Sequence, residues 1–74
     1  MNEKHRELAR QSFVFANELL ETALELSIDG QSSSLIEKDV TDYALTLRQL
    51  AERVAIISAF LELIAEENAR IATK

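Results

Sequence analysis

Between Ile36 and Ile71 the chain places residues in steps of four and three without a slip: Ile36, Val40, Tyr43, Leu47, Leu50, Val54, Ile57, Leu61, Ile64, Asn68 and Ile71. That spacing is an a/d heptad seam, which holds one stripe of an α-helix against a neighbour; a strand over the same residues would need a period of two. Ten of these eleven positions are apolar or aromatic, so the stripe has to be covered. Ala44, Ala51, Ser58, Ala65 and Ala72 recur beside it every seven residues. Side chains that small let another helix approach closely.

The first part of the chain is helical by the same logic. Leu8, Ala9, Phe13, Phe15, Ala16, Leu19, Leu20, Ala23, Leu24 and Leu26 fall on one broad face at about 100° per residue. Ala9, Ala16 and Ala23 run down its middle, so the alanine stripes of the two helices are expected to pack closely against each other, with larger residues closing in from either side. Asn2 is placed to cap this helix, with Glu3 in its first turn, where the helix dipole favours negative charge. The chain has no proline and a single glycine, Gly30. Gly30 is the natural stop, because a glycine takes the left-handed conformation that ends many helices. Gln31 to Ser34 follow as a loop, and Ser34-Leu35-Ile36-Glu37 matches a capping box for the second helix. Asp39 and Thr41 are alternative caps that would start it later. The expected fold is therefore all-α: an antiparallel hairpin of helices at about 3–28 and 34–72, roughly 39 and 58 Å long at 1.5 Å per residue.

Size and composition then call for self-association. A chain of 74 residues buries too little surface to be stable without further support. With no cysteine and one histidine, neither a disulfide nor a zinc site can supply that support. Folded back at Gly30, the first helix runs out opposite about residue 58–60, leaving the end of the second uncovered. Leu45, Ile56, Phe60 and Leu63 make a further apolar group on the opposite side of that helix. The expectation is a homodimeric four-helix bundle, with a tetramer as the alternative. Its interface would draw on Leu45, Ile56, Ile57, Phe60, Leu61, Leu63, Ile64, Asn68 and Ile71. Asn68, the one polar seam position, would either fix the register by pairing with its mate or sit in a solvated last turn.

Charge separates the remaining classes of function. Net charge is −5, with the acidic groups concentrated between residues 11 and 42. Glu18, Glu21, Glu25, Glu37, Asp39 and Asp42 form an acidic end suited to a basic protein partner. Broad binding to nucleic acid or an anionic membrane is disfavoured. The alternative is a nucleic-acid-binding regulator that gathers Arg6, Arg10, Arg48 and Arg53 at the open end of the hairpin, since this packing brings residue 10 near residue 50. His5 lacks a second ligand and reads as a polar rim residue. Ser12 and Ser27, on the apolar face, read as serines that bond back to the preceding turn. No cofactor, no metal site, no membrane span and no enzymatic constellation is expected. Cytoplasmic placement follows from the polar N-terminal residues, which lead into no signal-type apolar core. The function expected from the sequence is a small oligomeric protein–protein interaction module acting as an adaptor, inhibitor or assembly subunit.

Overall fold

Two helices account for nearly all of the computed structural model, which describes residues 1–72, and the side chains of residues 1–71. Helix α1 runs Glu3–Asp29 and helix α2 runs Glu37–Ala72. They pack against each other in an object 59 × 15 × 12 Å across. The hairpin is thus one side chain deep. The Ala72 side chain of the small-residue series lies outside the described residues.

The start of α1 follows its sequence signals. The Asn2 side-chain oxygen accepts the His5 backbone N–H at 2.7 Å, and Glu3 sits in the first turn. The end of α1 departs from them. Gly30 has φ −67° and ψ −10°, in the right-handed region, so the helix does not stop through glycine's left-handed freedom. The Gly30 N–H still bonds Leu26 O at 2.9 Å. Gln31 N–H to Ile28 O at 3.0 Å and Ser32 N–H to Asp29 O at 3.2 Å then tighten the exit into i→i−3 turns. A glycine here has no conformational duty. A Cβ would meet Leu26 O at 3.4 Å and Tyr43 Cδ2 at 3.9 Å, ordinary contacts. Gly30→Ala is therefore expected to raise stability by about 0.4–1 kcal/mol by restricting the unfolded chain. Thermal melts of the two proteins at equal concentration test this, and a lowered midpoint would reject it.

The Ser34 capping box does not form. The Ser34 hydroxyl is 2.8 Å from that of Ser32, and the Ser34 N–H donates to Ser32 Oγ at 3.2 Å. With Ser34 engaged in the loop, Asp39 Oδ2 accepts the Ile36 N–H at 3.3 Å, and α2 begins at Glu37. Asp39, the later cap considered above, closes the helix start from its third position.

The register also differs from the one expected. His5 Nδ1 lies 3.2 Å from Asn68 Oδ1, and Gly30 lies beside Tyr43. Facing residue numbers therefore sum to about 73. Ala9 is level with Ile64, Ala16 with Ile57, Leu19 with Val54 and Ala23 with Leu50. This corrects two expectations. First, α1 reaches the far end of α2, so Ile64 is buried and Leu61 half-buried within the hairpin. The part of α2 that projects past its partner is its start, where Ile36 and Val40 are 60% and 54% exposed. Second, the two small-residue series do not face each other. The alanines of α1 receive the large residues of α2, whereas Ala44, Ala51, Ser58 and Ala65 stay exposed.

Candidate interaction surfaces

Leu19, Leu50 and Ile64 are the only buried hydrophobic residues among those described. Against them stand fifteen large hydrophobic residues left exposed, from Met1 to Ile71. At about 1.5–3 kcal/mol for each such side chain fully buried, that imbalance forgoes more stabilisation than the seam gains. Isolated apolar residues on a surface are ordinary, but contiguous ones mark contact sites.

The exposed residues fall into sets on either side of the seam. Residues one step after Ser12, Leu19 and Leu26 lie on the same side as those one step after Tyr43, Leu50, Ile57 and Ile64. On this side Leu20 of α1 and Ala51 of α2 share a shallow groove of about 410 Å³ with Leu19, Ala23, Leu47 and Val54. Of the exposed apolar residues of α1, Leu20 lines this groove at 55% exposure, and Phe13 and Leu24, at 63% and 62%, lie along the same helix outside it. The opposite flank holds Phe15 and Phe60, with Ile56 and Leu63 on the outer side of α2, interspersed with Asp29, Asp39, Arg53 and Glu67.

The residues expected at an oligomer interface are thereby divided. Ile57, Leu61, Ile64 and Asn68 line the seam against α1, which covers them wholly or in part. Leu45, Ile56, Phe60, Leu63 and Ile71 remain exposed. Within the hairpin, Asn68 is turned toward α1. Its Nδ2 donates to Ile64 O at 2.8 Å, which leaves its Oδ1 to accept from His5 Nδ1. An amide oxygen only accepts, so the contact to Asn68 uses the tautomer protonated at Nδ1, whereas the 3.4 Å contact from Asn2 Nδ2 to the same nitrogen uses the other tautomer. This polar pair closes the open end of an otherwise apolar seam. A slip of either helix would leave both groups facing apolar side chains, so the pair helps fix the register.

The charged candidates are spread along the hairpin. Glu25 of α1 lies toward the loop with Glu37, Asp39 and Asp42 of α2, while Glu18 and Glu21 lie nearer the middle; Glu21 accepts a hydrogen bond from Asn17 at 3.1 Å. Asp39 is partly committed to capping α2. The four arginines do not assemble. Residue 10 is level with residue 63, not residue 50, which puts Arg10 roughly 22 Å along the axis from Arg48 at 1.5 Å per residue. Arg10 instead forks onto Glu7, with contacts of 2.6 and 3.0 Å. That hydrogen bond, with the nearby guanidinium charge, holds the Glu7 carboxyl below its ordinary range. Ser12 Oγ bonds back to Leu8 O at 2.8 Å as expected, and Ser27 is exposed. Among the described residues no group of three or more His, Cys, Asp or Glu is placed to hold a metal ion, and no helix is long and apolar enough to cross a membrane.

The fold and its surfaces define the class: an antiparallel helical hairpin with uncovered apolar flanks. Compared with known proteins, the chain matches no family model, no curated protein and no solved structure.

Proposed function

We propose that the chain is a helical protein–protein interaction module that works as a homodimeric four-helix bundle. The observation that carries this is the ratio of three buried to fifteen exposed large hydrophobic residues in a single hairpin. A second copy supplies the second layer that a helix with apolar flanks requires. In this reading the dimer is the working unit, and the surface it leaves open engages another protein, with the acidic residues near the loop favouring a basic one. Light scattering coupled to size exclusion at micromolar concentration tests it. The expected mass is twice 8.3 kDa, and a particle of 8.3 kDa at all concentrations would end the proposal.

A further inference from the structure

We infer that the second copy docks on the groove side of the hairpin, turned end for end so that the two loops point in opposite directions. This rests on the self-association proposed above and adds to it the face and the orientation.

The area supports a partner of this size. A globular protein of 8.3 kDa is expected to expose about 4,600 Å², whereas this hairpin exposes 5917 Å². The surplus of about 1,300 Å² exceeds the roughly 800 Å² that each partner contributes to a standard interface. A second copy can therefore cover it with an ordinary contact.

The groove side is the one that can be covered cheaply. From Phe13 to Ser27 on α1, and from Ala44 to Ala65 on α2, the positions flanking the seam on this side carry no charge. Over the same stretch the other flank is interrupted by Arg53; followed to the ends of the hairpin, the groove side adds Arg6 and Glu37, and the other flank adds Asp29, Asp39 and Glu67. Desolvating such groups without good partners costs several kcal/mol each. Ala51 and Ser58 keep the α2 half of the groove side low, so a helix can approach it while Phe13 and Leu20 stand at the flanking positions of α1.

Charge sets the orientation. Residues 19–54, the half of the hairpin nearer the loop, carry seven acidic and three basic groups; the rest of the described residues carry six and four. Docking with the loops together would bring two acidic halves into contact. The end-for-end arrangement lays each acidic half over the less acidic half of its partner.

Two substitutions and one distance test this. Ala51 is exposed and lines the groove, so Ala51→Glu places a carboxylate in the contact without disturbing the hairpin seam. The mass is expected to fall from twice 8.3 kDa to 8.3 kDa. Ile56→Glu places the same charge on the outer side of α2 and is expected to leave the dimer intact. A dimer that survives Ala51→Glu, or one that Ile56→Glu dissociates, overturns the assigned face while self-association stands. The chain has no cysteine, so Ser33→Cys carries one spin label per copy. Loops at opposite ends predict a label separation on the order of 50 Å at 1.5 Å per residue, near the 59 Å length of the hairpin. A separation near half that value overturns the orientation. A wild-type protein that stays at 8.3 kDa removes the underlying reading itself, and a mass above twice that value removes the two-copy arrangement.

Discussion

Leu50→Ala is expected to lower unfolding stability by about 2–5 kcal/mol, the range for a buried leucine cut back to alanine. Leu50 is 7% exposed and level with Ala23, so the residue facing it has no side chain long enough to collapse into the space left behind. A domain of this length typically has roughly 4–11 kcal/mol in total, at 0.05–0.15 kcal/mol per residue. The substitution would therefore remove from about a fifth of that stability to all of it. Urea titration followed by circular dichroism measures it. Ile28→Ala is the control, since Ile28 is 58% exposed and lies away from the seam. Its effect is expected to stay within about 0.5 kcal/mol. Equal losses from both would mean that the seam is not where the hairpin derives its stability.

The second large effect concerns concentration. If folding is coupled to pairing of two copies, each tenfold rise in protein adds about 1.4 kcal/mol of stability per dimer. For a chain of 74 residues this moves the melting midpoint upward by roughly 3–5 °C per decade. Calorimetry over two decades of concentration makes the shift easy to detect. A midpoint indifferent to concentration would show that one hairpin stands without its copy, contrary to the surplus of apolar surface described above.

Much of the fold was legible because a heptad spacing survives any uncertainty about neighbours. Tyr43, Leu50, Val54, Ile57, Leu61 and Ile64 form the seam that their spacing predicts, and Asn2 caps α1 as its chemistry implies. The register was harder to read because it depends on which of several capping residues wins near the turn. Ser34 and Asp39 both offer an oxygen, and Ser34 is drawn to Ser32. That moves the start of α2 by only three residues, whereas residue 10 comes level with residue 63 and not 50; the rest of the shift arises because the first turns of α2 extend past the end of α1. A signal for the correct alignment was nevertheless present. Each alanine of α1 is level with a bulky seam residue of α2, and the lone polar seam residue Asn68 is level with His5. Matching small against large and polar against polar selects this alignment over its neighbours. The surface roles of Glu18, Glu21 and Phe60 were not legible in this way, because exposed side chains leave no complementary pattern within the same chain.

The 12 Å thickness has a practical consequence for mapping contacts by amide hydrogen exchange. In most domains the slowest amides mark the deep interior, which obscures any additional protection from a bound molecule. Here no backbone segment is deep, so strong retardation on one flank of a helix would report the footprint of whatever rests upon it.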